Sequence, residues 1–184
     1  MIHHVNNDIL ALTTEIIVHG CNARGVMGAG FAAQVKKKWP SVFQVYVKKY
    51  ASADGLRIGD IIAIGGVDVG RNGLVARHLA AISKELPPNL IVVNAITQES
   101  FGRDGNRRYV DYDAVSACFA RIKLLAQDAK MAVHFPLVGC GHANGEWSEV
   151  GPRIETALGP DIPANLWTLS AKSETEAPQT RLVF

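Results

Sequence analysis

The chain has 184 residues, of which 48% are hydrophobic and 20% charged, and its formal net charge is +2. This length and composition predict one compact domain with a full apolar core, and so small a net charge argues against nucleic acid as a general partner. Three widely spaced cysteines (Cys21, Cys118 and Cys140) match neither a disulfide framework nor a zinc ribbon, which indicates a reducing, cytoplasmic location. No apolar run approaches the roughly 18 residues that a membrane span needs.

Short β-rich apolar runs alternate with helical patterns along the chain. The predicted strands lie at residues 2–5, 15–18, 60–64, 90–93, 131–135 and 166–169. The first reads as an edge strand, and the later runs are nearly continuously apolar, which is typical of strands buried on both faces of a sheet. Strands that alternate with helices predict a sheet covered by helices on both sides, an α/β domain.

Four helical patterns separate these strands. Phe31, Val35 and Trp39 recur every four residues, and Pro40 suits the first turn of a second helix. An apolar stripe at 115–125 follows the candidate caps Asp111 and Asp113, and a last stripe at 147–158 stops at Gly159-Pro160.

Two segments stand apart from this pattern. Residues 68–89 fit both a helix and a strand, so the sequence leaves that segment open. The domain is predicted to span residues 1–170, and a polar tail is predicted for residues 171–184.

Two glycine-rich loops each follow a predicted strand and lead into a predicted helix. The first glycine loop (residues 22–30) belongs to the stretch CNARGVMGAG, and the second glycine loop (residues 139–145) reads GCGHANG. Glycine lets several backbone N–H groups approach one anion, and a helix N-terminus adds a partial positive charge. Turns also use glycine, but a pair of such loops at the carboxyl ends of strands favours a site for a phosphate-bearing ligand.

Residues 2–169 resemble a macrodomain, the ADP-ribose-binding module. The carrying segments are Asn7-Asp8, IVHGCN at 17–22, GVMGAGFA at 25–32, TQESFG at 97–102, PLVGCG at 136–141 and Glu146-Trp147. The resemblance is nearest to the branch of ADP-ribose 1″-phosphate phosphatases and terminal ADP-ribose glycohydrolases. It implies a three-layer α/β/α fold with a mixed, mostly parallel central sheet.

The resemblance also implies a binding site. The first glycine loop would surround the distal ribose, the second would hold the diphosphate, and Asp8 would accept a hydrogen bond from the adenine amino group. Asn22 carries an amide suited to a ribose hydroxyl. The implied ligand-binding residues are Asp8, Ile9, Asn22, Gly25, Val26, Met27, Gly28, Ala29, Gly30, Phe31, Gln98, Phe101, Val138, Gly139, Cys140, Gly141, Ala143, Asn144 and Gly145.

The type of activity depends on a few positions. Gln98 and Ala143 stand where the glycohydrolases of this branch carry a lysine nucleophile and an aspartate, so that mechanism is not expected. His19 matches the histidine of the phosphatase pattern I-H-x-C-N and is predicted to act as nucleophile or general base; the alternative is a core histidine. His142, in the second glycine loop, is predicted to protonate the leaving ribose oxygen, unless it only lines the ligand. Cys140 has no evident activating base and is expected to pack.

The sequence therefore predicts hydrolysis of ADP-ribose 1″-phosphate to ADP-ribose and phosphate, without a cofactor or metal. We expect a monomer whose partner is this small molecule, with neither membrane nor nucleic acid involved. The alternatives are a non-catalytic ADP-ribose reader and a hydrolase that removes ADP-ribose from protein or nucleic acid.

Overall fold

A computed structural model describes residues 1–102 and 104–169. The predicted tail at 171–184 lies outside the described residues. The elements are, in chain order, β1 (Ile2–Asn6), β2 (Thr14–Asn22), α1 (Gly30–Lys38), α2 (Pro40–Tyr50), β3 (Ile61–Gly65), α3 (Gly73–Ala76), β4 (Leu79–Ile82), β5 (Asn89–Gln98), α4 (Tyr112–Ala129), β6 (Val133–Phe135), α5 (Trp147–Leu158) and β7 (Ala164–Thr168).

The seven strands form one sheet in the order β1-β7-β6-β2-β5-β3-β4. β1, β7, β6, β2 and β5 are mutually parallel, whereas β3 runs antiparallel to β5 and carries β4 parallel to itself. The prediction of a mixed, mostly parallel sheet is confirmed.

Helices cover both faces of the sheet. On one face α1 and α2 bury Val35, Trp39, Val42 and Tyr46 against strand residues such as Ile17. On the other face, α4 and α5 pack apolar stripes against the alternate strand positions, which include Ile16 and Val18. Successive residues of a strand point to opposite faces, so both faces of β2 are apolar and its sequence reads as a continuous run.

Local signals set the helix ends as expected. Pro40 occupies the first turn of α2, where its missing N–H costs no helical hydrogen bond. Asp111 caps α4 by accepting a 2.8 Å hydrogen bond from the N–H of Ala114, and Gly159 ends α5 with a φ of 72°. Within the described residues no helix is long and apolar enough to cross a membrane.

The open segment at 68–89 combines both interpretations. A 3₁₀ turn at Val69–Arg71 and the single-turn helix α3 are followed by strand β4 at the edge of the sheet. Val75 is buried by the helical part, while Leu79 and Ile82 belong to the strand. The helical spacing across 75–86 therefore corresponds to a helix only at its beginning, since α3 ends at Ala76 and the chain continues as β4.

Because β1, β7, β6, β2 and β5 are parallel, their carboxyl ends meet at one edge of the sheet. Asp8 follows β1, the second glycine loop follows β6, the first follows β2, and Gln98 ends β5. This edge collects nearly every segment in which the sequence predicts ligand-binding residues, as expected for an open α/β sheet.

Candidate functional site

Asn22 shapes the first glycine loop from its first position. Its Oδ1 accepts hydrogen bonds from the N–H groups of Arg24 (2.9 Å) and Val26 (3.3 Å), and its Nδ2 donates to the carbonyl of Val26 (2.6 Å). The buried Tyr46 hydroxyl donates to the Asn22 carbonyl at 2.5 Å and lies 3.1 Å from Oδ1. This amide is engaged within the loop and holds its shape, and the contact of Asn22 with a ribose hydroxyl stays a prediction.

The rest of this loop presents mostly its backbone to solvent. Val26, Gly28, Ala29 and Gly30 are exposed, whereas Met27 points inward and is buried. α1 begins at Gly30 and runs for nine residues. The free N–H groups of its first turn therefore lie at the same edge of the sheet as the loop.

The second glycine loop is closed on itself and anchored to the segment before α4. Gly145 N–H donates to the Gly139 carbonyl (2.8 Å). The buried Ala143 accepts hydrogen bonds at its carbonyl from the N–H groups of Tyr109 (2.9 Å) and Val110 (3.1 Å). The Asn144 side chain donates to the carbonyls of Asp104 and Arg107. These contacts fix the loop while leaving its crest, at Gly141 and His142, exposed.

Gly139 and Gly141 have different surroundings in the second glycine loop. Gly139 has a φ of +73°, and a Cβ placed on it would lie 2.6 Å from Val110, so a larger residue would be both strained and crowded. A Cβ on Gly141 would meet no atom within 4 Å. Gly139 therefore permits the tight entry to the loop, and Gly141 faces open space beside the cleft.

The two glycine loops meet at Gly30 and His142. A Cβ placed on Gly30 would lie 3.1 Å from Cδ2 of His142. β2 and β6, the strands before the loops, are paired neighbours in the sheet. An exposed imidazole thus stands where two sets of backbone donors converge, in the arrangement expected for an anionic ligand with a reacting group at one end.

His19 does not reach this cleft. Its side chain is 1% exposed, and its Nε2 forms a 2.7 Å hydrogen bond with Asn94 Oδ1. Nδ1 lies 3.6 Å from Cys21 Sγ, and the ring packs edge-on against Phe31. The predicted role as nucleophile or general base therefore lacks a route to the ligand, and the structure favours the alternative, a core histidine.

Burial also keeps this histidine and its neighbouring thiol neutral. Desolvation lowers the pKa of His19 to about 4, despite an opposing contribution from the bond to Asn94. Desolvation raises the pKa of the Cys21 thiol well above its ordinary value. A thiolate paired with an imidazolium, the reactive form of such a couple, is thus disfavoured at neutral pH.

Asp8 lies at the far end of the same edge, after β1. Its side chain is exposed, and Oδ1 accepts a 2.9 Å hydrogen bond from the N–H of Leu10, which caps the 3₁₀ turn Ile9–Ala11. Ile9 is buried beneath that turn. The Lys38 ammonium donates to the Leu10 carbonyl and so ties α1 to it. The cap uses one carboxylate oxygen, Oδ1, of this exposed side chain.

The other rim of the cleft follows β5. Gln98 Nε2 donates to the Ser100 carbonyl (2.7 Å), and the Gln98 carbonyl accepts from Ala23 N–H (2.9 Å), which joins this strand end to the first glycine loop. Phe101, three residues after Gln98, is exposed to solvent. A neutral amide bound in this way cannot act as the nucleophile that a lysine would supply.

Cys140 and Val138 belong to the floor of the second loop. Val138 is buried, and Cys140 is half-buried with its thiol directed to the Val138 carbonyl at 3.3 Å. Desolvation raises the pKa of Cys140 to about 11, so the thiolate is scarce at neutral pH. This agrees with the expectation that Cys140 packs.

Three features of the site were not foreseen from the sequence. Arg24 and Glu99 form a 3.2 Å ion pair between exposed side chains, across the gap between the first loop and β5. Tyr46, on α2 and sixteen residues after the end of the loop, supports Asn22. Thr97 is fully buried, and its hydroxyl has no hydrogen-bond partner among the described residues. Only the charged pair carried a sequence signal, because opposite charges occur in two segments that were both assigned to the site.

Known proteins resemble this chain along most of its length. No family model matches the chain. It is 29% identical over 152 residues to an ADP-ribose 1″-phosphate phosphatase from the yeast Meyerozyma guilliermondii, covering 74% of this chain and 80% of the relative. It is 25% identical over 175 residues to the DNA ADP-ribosyl glycohydrolase of Mycobacterium tuberculosis, covering 94% of this chain. The chain spans less than half (44%) of that glycohydrolase.

Solved structures share the fold. The macrodomain of Mycobacterium tuberculosis DarG superposes with a TM-score of 0.68 at 23% identity, covering 92% of this chain and 99% of that one. Thermosipho africanus DarTG in complex with ADP-ribose gives a TM-score of 0.64 at 20% identity, covering 95% of this chain and 42% of that one.

Proposed function

We propose that this chain, which has the macrodomain fold, binds ADP-ribose along the carboxyl edge of its sheet and hydrolyses ADP-ribose 1″-phosphate to ADP-ribose and phosphate. The observation that carries the proposal is the convergence of two glycine loops, each leading into a helix, on the exposed His142. The phosphatase relative from yeast supports the choice of substrate.

The order of strands orients the ligand. Asp8 after β1 would receive the adenine amino group, the second loop after β6 the diphosphate, and the first loop after β2 the distal ribose. β1 and β2 are three strand spacings apart, or about 14 Å. The site is thus elongated, as an extended nucleotide sugar requires.

The chemistry would use His142 as the acid. A water oxygen forms a bond to phosphorus while the bond between phosphorus and the C1″ oxygen breaks. The leaving ribose oxygen takes a proton from His142, and the attacking water loses one to solvent or to the released phosphate. Backbone N–H groups of both loops would stabilise the charge on the phosphoryl oxygens. Histidine is the commonest side chain for such proton transfer.

Removal of ADP-ribose from nucleic acid is a second candidate. It is favoured by the mycobacterial relative, a DNA ADP-ribosyl glycohydrolase that matches over nearly the whole of this chain. Its usual lysine is absent, since no lysine occurs in residues 8–10, 22–31, 97–101 or 138–145. That activity would need another group to act at C1″.

Phosphate release from ADP-ribose 1″-phosphate, measured beside calorimetric titration with ADP-ribose, tests the proposal. We expect micromolar binding, about −8 kcal/mol. His142→Ala should lower kcat by about 10²–10⁴-fold, the usual contribution of general acid–base catalysis, with little change in ADP-ribose affinity. The control His4→Ala, on the exposed edge strand β1, should behave like the wild type.

Two results would contradict this account. Binding without phosphate release would make the chain a reader or point to the nucleic-acid candidate, which an ADP-ribosylated oligonucleotide tests directly. Full activity of His142→Ala would move the proton transfer to another rim group, with Glu99 the first to examine.

A further inference from the structure

Charge is strongly segregated along this chain. Residues 16–53 contain six basic residues (Arg24, Lys36, Lys37, Lys38, Lys48 and Lys49) and no Asp or Glu. The remaining sequence carries 13 basic and 17 acidic residues. The small net charge of +2 therefore hides a cationic segment and an anionic remainder, and net charge alone understates what the surface can bind.

The fold gathers this charge into one layer. The five lysines lie on α1 and α2, which together cover one face of the sheet. Lys38 is engaged by the Leu10 carbonyl, and Lys49 pairs with Asp54 at 3.4 Å. Lys36, Lys37 and Lys48 are exposed, and no ion pair within 4 Å is formed by them in the described part of the chain.

A groove of about 410 Å³ opens beside Lys36 and Lys37. Its lining includes Met27, Pro40 and Phe43, together with Lys36 and Lys37. The Lys36 ammonium lies 3.9 Å from the centre of the Phe43 ring. Met27 belongs to the first glycine loop, so the groove adjoins the cleft at the end assigned to the distal ribose.

We propose that this lysine face (Lys36, Lys37, Lys48 and the groove beside Met27) docks a single-stranded nucleic acid next to the cleft. The ammonium groups, which form no ion pair among the described residues, suit the phosphates of a strand, and the apolar part of the groove at Met27 and Pro40 suits an unstacked base. A duplex would offer phosphates alone, and an acidic peptide would leave the apolar groove unused. The link between the docked strand and a substrate rests on the proposed ADP-ribose site, but the docking itself does not.

Anisotropy of a fluorescein-labelled, unmodified 16-mer of deoxythymidine measures the docking between 20 and 200 mM NaCl. Each phosphate contact on a single strand contributes about −0.7 to the slope of log K against log salt. Three lysines therefore predict a slope of about −2. The full chain is used, so no separate folding of a fragment is assumed.

Charge reversal with a matched control locates the surface. Lys36→Glu/Lys37→Glu should weaken binding at least tenfold and reduce the size of the slope by about 1.4, the value for two lost contacts. Lys123→Glu/Lys130→Glu changes the net charge equally but lies at α4, on the other side of the sheet. It should change affinity less than about twofold, because salt screens distant charges.

Each outcome decides between the alternatives. No binding by the wild type at 20 mM NaCl, or equal loss in both double variants, overturns the proposal. Equal binding of polyglutamate or of a DNA duplex shows that the face does not select single strands, and also overturns it. ADP-ribose titration of the same variants should give unchanged affinity. If the wild type binds the 16-mer but not ADP-ribose, the proposed function fails while the docking face stands.

Discussion

Among single side chains, His19 shows how burial decides what an imidazole can do. It lies on β2 between the cleft and the core, bonded to Asn94 and packed on Phe31, the second residue of α1. Asn94 in turn donates to the carbonyl of Val42 in α2 at 3.4 Å. This chain of contacts joins β2, β5 and the α1/α2 layer beneath the first glycine loop, so His19 supports the loop through packing.

We therefore expect His19→Leu to affect stability before turnover. The variant leaves Oδ1 of the buried Asn94 without its hydrogen-bond partner and should lower the free energy of unfolding by about 2–4 kcal/mol. Urea denaturation at pH 7.5 measures this. Near-normal stability combined with lost phosphate release would restore the catalytic interpretation of His19.

The buried His19 should also make the free energy of unfolding depend on pH. Because burial lowers the folded-state pKa of His19 from 6.5 to about 4, the unfolded chain binds its proton first. The stabilisation from neutral His19 is complete above pH 6.5 and is lost progressively as pH falls from 6.5 to about 4. At pH 4.5 the wild type should have lost roughly 2–3 kcal/mol through this group, and the stability gap to His19→Leu should narrow by that amount. A gap independent of pH would contradict the assignment.

At the level of elements, periodicity predicted most of the architecture. Six of the seven strands and the four long helices follow from apolar runs and from stripes such as Val115 to Leu125, because burial on one or both faces imposes the period. The direction of β3 does not follow in this way, since an apolar run buried on both faces reads alike in parallel and antiparallel strands. Within residues 68–89, α3 is a single turn, too short for any period to register.

Some features of the candidate site could likewise be predicted from the sequence, and others could not. Glycine content identified both loops, because sharp turns and close backbone approach restrict residue choice. The depth of His19 and the support of Asn22 by Tyr46 could not be predicted, since the partners lie 75 and 24 residues away in the sequence. Contacts of that kind are set by tertiary packing and leave no local pattern.

The junction of the two loops gives an element-level prediction. Gly30 has a φ of +58°, and an added Cβ would press on His142. Gly30→Ala should lower the free energy of unfolding by about 1–2 kcal/mol, the cost of a left-handed L-residue, and should reduce phosphate release by displacing His142. Thermal melts and phosphate assays measure the two effects.

A substitution at Gly28 changes the same loop without backbone strain, and so separates an effect on ligand binding from an effect on folding. Its φ is not in the left-handed region, and an added Cβ would have only Val26 nearby, at 3.6 Å. Gly28→Val should therefore fold with a near-normal melting temperature but lose ADP-ribose binding, because the side chain occupies space in the proposed ribose site. Normal binding by folded Gly28→Val would remove the first glycine loop from the site.

For the whole molecule, ligand binding should appear as global stabilisation. A ligand at 100 times its Kd adds about 2.7 kcal/mol to the free energy of unfolding. One kcal/mol raises the melting temperature of a domain of this size by about 2–4 °C, so saturating ADP-ribose should raise it by roughly 5–10 °C. Ribose 5-phosphate, which lacks the adenine and the diphosphate, should give a much smaller rise.

Asp8 variants separate ligand recognition from folding in the same measurement. Asp8→Asn retains an oxygen to accept from Leu10 N–H but replaces the second carboxylate oxygen with an amide donor, which cannot accept from the adenine amino group. Asp8→Ala removes the cap as well. Both variants should weaken ADP-ribose binding by about 1–3 kcal/mol, which cuts the ligand-induced rise, whereas only Asp8→Ala should melt lower without ligand. An Asp8→Asn protein with the full wild-type rise would place the adenine elsewhere on the edge of the sheet.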